Sequence, residues 1–159
     1  MSRRVLVFGI GNPGRRDDGL GPALAEALEA RQLAGVTIDA DYQLTIEDSV
    51  SVAEHDLVVF ADADAVGPEP YSLKPIGPAA GGVGFSTHGA EPGGVIALAQ
   101  QVFDKKTEAY LFGIRGYEFE LSVEMTEKAK ANLEKALAFL EPLLRGEGSF
   151  AEAAASFCA

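Results

Sequence analysis

Short blocks of apolar residues alternate along the chain with segments that carry apolar residues at helical spacing. Residues 5–8 and 57–61 are apolar at every position, which is typical of strands covered on both faces. Between them, segment 20–32 places leucine and alanine side chains three or four residues apart, as an amphipathic helix does. Strands connected by helices predict an α/β fold with a mostly parallel sheet.

The same patterns predict the remaining elements. Strands are predicted at 5–10, 36–40, 57–61, 71–76 and 109–114. Helices are predicted at 20–32, 46–53, from about 91 to 102, and 123–144 with Ser122 as the N-cap. Pro22 places the start of the first helix, Pro75 favours an edge strand, and Pro142 is expected to kink or end the last helix. We therefore predict a three-layer sandwich in which a twisted sheet of about five strands has helices on both faces.

The length of 159 residues favours a single domain. We assign residues 1–145 to one α/β domain and residues 146–159 to a C-terminal tail, either mobile or loosely docked as a helix. Segment 77–84 is too rich in glycine for regular structure, and the loop 77–85 is long enough to form a flap or the rim of a substrate site.

The charge balance narrows the possible partners. The formal net charge is −11, which repels phosphate backbones and argues against a nucleic-acid partner. No apolar run is long enough for a membrane span, and the N-terminus does not resemble a secretory signal. The single cysteine, Cys158, cannot form an internal disulfide, which favours a reducing, cytoplasmic setting.

A glycine-rich turn follows the first predicted strand and delivers two adjacent acids, Asp17 and Asp18, to the start of a helix. One acid at this position is explained by hydrogen bonds to free helix amides and by the helix dipole. Adjacent side chains cannot point the same way, so we assign Asp17 a structural role and Asp18 a functional one.

Two further polar residues are expected near Asp18. Asp62 ends the strand at 57–61, and His88 lies between the glycine-rich segment and the next helix; Asp64 is interpreted as a loop residue. The carboxyl ends of parallel strands share one edge of a sheet, where open α/β folds place their chemistry. Two carboxylates and an imidazole suit a borderline divalent ion, or acid–base chemistry on an amide, and spacing alone leaves both open.

Other catalytic classes have less support. The glycines at 9, 11 and 14 resemble a dinucleotide-binding turn, but Asp17 and Asp18 would face the diphosphate. The phrase from Gly9 to Gly14 also resembles peptidyl-tRNA hydrolases, although their Arg-His-Asn segment does not follow. No Gly-x-Ser-x-Gly elbow is present, and Cys158 lies in the tail.

The motifs together resemble those of the hydrogenase maturation endopeptidases. The family's Gly-x-Gly-Asn turn and acidic pair match 9–12 and 17–21, its Asp-Ala pair matches 62–63, and its segment before a helix, ending in His, matches 86–88. Segment 113–118 also resembles the family, and the resemblance extends to about residue 144. It implies a phosphorylase/hydrolase-like sandwich.

The resemblance implies a protease that removes a C-terminal extension from the large subunit of a nickel–iron hydrogenase after nickel insertion. It implies that Asp18, Asp62 and His88 are both the catalytic and the metal-contacting residues. Nickel would be carried by the substrate, and cadmium or zinc could replace it in crystals. Some members have Glu at the position of Asp18. A chaperone that senses nickel without cleaving the precursor would use the same residues.

Overall fold

The computed structural model describes residues 3–78, 85–86 and 89–157. Its strands are β1 (Val5–Ile10), β2 (Val36–Asp41), β3 (Leu57–Asp64), β4 (Tyr71–Ile76), β5 (Phe85–Ser86), β6 (Gly89–Ala90) and β7 (Glu108–Arg115). Its α-helices are α1 (Leu20–Glu29), α2 (Asp48–Ala53), α3 (Pro92–Phe103), α4 (Glu127–Leu144) and α5 (Phe150–Ala155). A 3₁₀ helix, Arg16–Gly19, connects β1 to α1.

Five strands form the central sheet in the order β2-β1-β3-β7-β4. Neighbouring strands are parallel except β4, which runs antiparallel to β7 at one edge of the sheet. The predicted edge position of the strand that contains Pro75 is therefore confirmed. The chain moves from β1 outward to β2 and then returns to β3 on the other side of β1. The strand order therefore reverses between β1 and β3, and this is where open α/β sheets form a crevice at their carboxyl ends.

Helices cover both faces of the sheet, as predicted. On one face, α1, α4 and α5 pack on a core that includes Val5, Val7 and Val59. On the other face, α2 and α3 pack on a second core that includes Phe8 and Phe60. Successive strand residues point to opposite faces, so uninterrupted apolar runs supply both cores at once.

Three element boundaries differ from the prediction by three residues or more. Helix α4 begins at Glu127, where the Thr126 side chain accepts a hydrogen bond from the Ala129 amide at 3.2 Å; the predicted N-cap at Ser122 is wrong. Strand β3 continues beyond Asp62, and α1 ends three residues early. The extra strand length is explained by β7, whose parallel pairing with β3 extends through the last residue of each strand.

The C-terminal tail packs against the domain through α5. Phe150 is 2% exposed, and its ring stacks on that of Tyr110 with centroids 5.4 Å apart. The helical alternative for the tail is therefore the one observed, and its packing is tight because a large aromatic ring fills the core.

Within 3–78, 85–86 and 89–157, every helix is too short or too polar to cross a bilayer.

Candidate active site

Two carboxylates meet at the point where the strand order reverses. Asp18 lies in the 3₁₀ helix after β1, and Asp62 lies near the carboxyl end of β3. Both line one cleft of about 270 Å³. The other residues that line this cleft are Ile10, Gly11, Tyr42, Gln43, Leu44, Glu91 and Pro92. The structure therefore brings together two of the three residues that the sequence indicates.

The glycine turn determines where Asp18 lies. Gly11 has φ +145°, and a Cβ atom there would lie 1.9 Å from the backbone oxygen of Asp18. The Asn12 amide donates to Oδ2 of Asp18 at 2.8 Å, while Oδ1 of Asn12 accepts from the Gly14 amide at 2.8 Å. The absence of a side chain at Gly11 thus allows the turn to fold back against the acid.

Asp17 points away from the cleft and is fully buried. Its carboxylate accepts hydrogen bonds from the amides of Tyr117, Glu118 and Thr126 and from the Thr126 hydroxyl, at 2.8–3.2 Å. Burial alone would raise the pKa of Asp17, but the bonds from Thr126, Tyr117 and Glu118 outweigh burial and lower it. The structural assignment of Asp17 is confirmed, although it holds a distant loop instead of capping its own helix.

Asp62 is the most perturbed acid of the cleft. Burial raises its pKa from 3.8 to about 7, although the Ala63 amide donates to Oδ1 at 2.8 Å and opposes the rise. The negative charges of Asp18, Asp64 and Glu91 raise the pKa further. A carboxyl group with this pKa exchanges its proton near neutral pH, which is the property required of a general acid or base.

Asp64 is a strand residue, and its interpretation as a loop residue is wrong because β3 continues to it. Its Oδ1 atom accepts hydrogen bonds from the amides of Val66 at 3.1 Å and Gly67 at 2.9 Å. Asp64 therefore stabilises the turn after β3. Its negative charge also acts on the site, because it disfavours the ionised form of Asp62.

The sequence analysis missed Glu91 and the wall formed by residues 42–44. Glu91 is the N-cap of α3 and is exposed at the cleft, and its side chain makes no capping hydrogen bond. Glu91 immediately precedes Pro92, and a proline in the first helical turn marks the start of a helix. This signal could have placed Glu91 at the sheet edge where α3 begins. The wall at 42–44 follows β2, so only the strand order could reveal that it lies beside Asp18.

His88 lies outside the described residues, so its position relative to Asp18 and Asp62 stays a prediction. The flanking strands β5 and β6 pair, with Ser86 opposite Gly89. Among the residues that the structure describes, no three His, Cys, Asp or Glu side chains lie close enough together to hold a metal ion. Asp18 and Asp62 alone are too few to hold a metal ion as protein ligands. An ion that contacts them would take its remaining ligands from other groups.

Several solved structures are similar to the chain over most of its length. The NiFe hydrogenase maturation protease HycI from Thermococcus kodakarensis KOD1 is 27% identical, with a TM-score of 0.69; the match covers 91% of this chain and 93% of that protein. The hydrogenase 2 maturation peptidase from a Thaumarchaeota archaeon is 21% identical with a TM-score of 0.65, covering 92% and 100%.

The hydrogenase maturating endopeptidase HybD from E. coli is 22% identical with a TM-score of 0.65, covering 91% of this chain and 94% of that one. At identities of 21% and 22%, the similarity to these last two structures shows a shared fold. Neither a protein-family model nor a curated protein sequence matches the chain.

Proposed function

We propose that this chain, a relative in sequence and fold of the NiFe hydrogenase maturation proteases, is an endopeptidase that processes a hydrogenase precursor. It removes a C-terminal extension from the large subunit of a nickel–iron hydrogenase after nickel insertion. The observation that carries this proposal is the convergence of Asp18 and Asp62 in one cleft at the reversal of strand order.

The two carboxylates supply groups suited to hydrolysis of an amide. Cleavage needs a base that accepts a proton from water and an acid that donates one to the leaving amine. With its pKa raised to about 7, Asp62 holds or releases a proton at neutral pH. The Asn12 amide holds Asp18 in place through Oδ2, and no other described residue hydrogen-bonds its second carboxylate oxygen, which can contact the substrate.

We further propose that Asp18, Asp62 and His88 contact nickel that the substrate carries on its own ligands. Carboxylate and imidazole groups are suitable ligands for such an ion. An anionic cleft gains Coulomb energy when the precursor brings a divalent cation and gains none from a metal-free precursor. This difference in binding would restrict cleavage to the loaded precursor.

The test is cleavage of nickel-loaded and metal-free precursor, followed by mass spectrometry of the product. We expect the wild type to remove a C-terminal peptide from the loaded form only. Asp62→Asn and His88→Ala should lower kcat/KM by about 10²-fold or more. The exposed acid Glu134 on α4 supplies a matched control, Glu134→Gln, which should cleave normally.

Each alternative result has a distinct meaning. An intact precursor that still binds the wild type would indicate a non-cleaving nickel-sensing chaperone. Unchanged turnover in Asp62→Asn would overturn the assignment of the site. The metal contacts are tested separately by soaking crystals with cadmium, where one anomalous peak shared by Asp18, Asp62 and His88 is expected.

A further inference from the structure

We propose that Tyr42, Ile46 and Val50, here named the β2–α2 surface, dock a basic and apolar segment of the precursor beside the cleft. This inference rests on the proposed function and extends it to the way in which the substrate is held. Its support comes from side-chain exposure, from continuity with the cleft and from the distribution of charge.

The three residues are apolar but do not contribute to either core. Tyr42 is 67% exposed, Ile46 44% and Val50 46%. Their neighbours Leu44 and Val52, in contrast, are 2% and 1% exposed and belong to the core under α2 and α3. The same short segment thus uses some apolar side chains for folding and leaves others in water, where they cost free energy unless a partner covers them.

The β2–α2 surface is continuous with the cleft that holds Asp18 and Asp62. Tyr42 lines that cleft. The amides of Ser49 and Val50 donate to the carbonyls of Ile46 and Glu47 at 3.2 and 3.1 Å, so the chain is already in helical turns at Ile46. Ile46 and Val50 are four residues apart across these turns, and both side chains are exposed. A substrate that enters the cleft at Tyr42 would meet them next.

Charge indicates the chemistry of the occupant. Residues 32–73 contain no Lys or Arg. The acids in that range are Asp39, Asp41, Glu47, Asp48, Glu54, Asp56, Asp62, Asp64 and Glu69. Glu47 and Glu54 are exposed at the two ends of α2, and neither takes part in an ion pair among the described residues. A partner with Lys or Arg among apolar residues matches this surface.

Docking through side chains fits better than addition of a strand to β2. The outer edge of β2 is free, since β2 ends the sheet. However, the Asp39 carboxylate accepts from the Ala40 amide at 2.8 Å, and the Asp41 carboxylate accepts from the Tyr42 amide at 2.7 Å. An added strand would have to displace these bonds. The exposed apolar side chains require no such exchange.

Binding of nickel-loaded precursor to an Asp62→Asn parent tests the inference without cleavage. Adding Ile46→Ser with Val50→Ser should raise Kd about tenfold, because the precursor no longer covers two aliphatic side chains. The matched control is Val102→Ser with Phe103→Ser, residues that are 61% and 46% exposed at the far end of α3. The control should change Kd less than about twofold.

A charge reversal tests the second part of the inference. Glu47→Lys should raise Kd several-fold, whereas Glu134→Lys on α4, on the opposite face of the sheet, should not. Circular dichroism of every variant verifies that it is folded. Equal effects of the test and control variants would overturn the inference while leaving cleavage by the wild type intact. Failure of the Asp62→Asn parent to bind, with no cleavage by the wild type, would overturn both proposals.

Discussion

Asp17 and Asp18 are adjacent in the chain, yet their side chains have opposite surroundings. Asp17 is buried and bonded to a loop that begins 100 residues later, whereas Asp18 lines the cleft. The reason is geometric, since neighbouring side chains in a 3₁₀ helix diverge and only one of them can face the strand ends. Asp17 should therefore matter for stability, whereas Asp62, the other acid of the cleft, should matter for both activity and stability.

Replacing Asp17 should destabilise the protein more than replacing an exposed acid. Asp17→Asn leaves buried amide donors poorly paired, and we expect a loss of about 2–4 kcal/mol in the free energy of unfolding. Chemical denaturation measures this loss. The matched control is Asp39→Asn, an exposed acid that accepts from the next amide and from no other described residue. A loss as large in the control would contradict the role assigned to Asp17.

Asp17 should also make the free energy of unfolding depend on pH in the acidic range. The folded-state pKa of Asp17 is lowered below 3.8, so its stabilising contribution is present above the unfolded pKa and is lost as pH falls through the folded pKa. The stability difference between wild type and Asp17→Asn should therefore shrink below about pH 4. A difference that stays constant as the pH is lowered well below about 4 would show that ionisation of Asp17 is not the cause.

Asp62→Asn should lower kcat/KM by about 10²-fold or more and yet stabilise the fold at neutral and alkaline pH. The folded pKa is raised from 3.8 to about 7, so the unfolded chain ionises first and wild-type stability falls as pH rises between these values. An Asn side chain at position 62 does not titrate, so it adds no such dependence of stability on pH. We expect the variant to be more stable by about 1–2 kcal/mol at pH 8 and similar to wild type near pH 4, by thermal or urea unfolding. A variant less stable at pH 8 would contradict the raised pKa.

At the scale of elements, the site depends on two connections, the turn after β1 and the segment before α3. The turn after β1 is determined by Gly11 and Asn12, which bring the 3₁₀ helix against the end of the strand. The connection before α3 contains His88 and lies largely outside the described residues. The opposite end of the chain contributes to the fold through α5, whose Phe150 completes the core beneath Tyr110.

Removing the Phe150 ring should therefore destabilise the whole domain. Phe150→Ala empties a site that is 2% exposed, and a loss of about 3–5 kcal/mol is expected. Phe157→Ala is the matched control, because that ring is 37% exposed and contacts other rings only at 6.0 Å. Urea unfolding compares the two. A loss from Phe150→Ala no larger than that from the control would mean that α5 is not part of the cooperative unit.

At the scale of the whole molecule, net charge and fold act together. The charge of −11 is spread along the chain, but the strand order places Asp18, Asp62 and Glu91 around one cleft. Long-range attraction of a cationic substrate then adds to the local contacts. The three-layer fold keeps these acids at one edge of the sheet, where they line the cleft and belong to neither core.

Salt should weaken substrate binding more than it affects the chemical step. Raising NaCl from about 0.05 to about 0.5 M screens exposed charges, so KM for the nickel-loaded precursor should rise several-fold with little change in kcat. Steady-state cleavage at a series of salt concentrations measures both constants. A KM that is constant or falls with salt would argue against electrostatic recognition of the precursor.

The sequence by itself determined the type and order of most elements, the edge position of β4, the structural role of Asp17 and the divergence of its side chain from that of Asp18. These features follow from local properties: the length of an apolar run, the position of a proline, and the directions of two adjacent side chains. The resemblance to a protease family also depended on short motifs that can be read in order along the chain.

Only the tertiary structure decided the surroundings of those residues. The raised pKa of Asp62, the hydrogen bonds that hold Asp17, and the presence of Glu91 and Tyr42 at the cleft all depend on segments far apart in sequence. The physical reason is that strand order determines which loops meet at the sheet edge. Desolvation and Coulomb interactions then act between atoms that are close in space, whatever their separation along the chain.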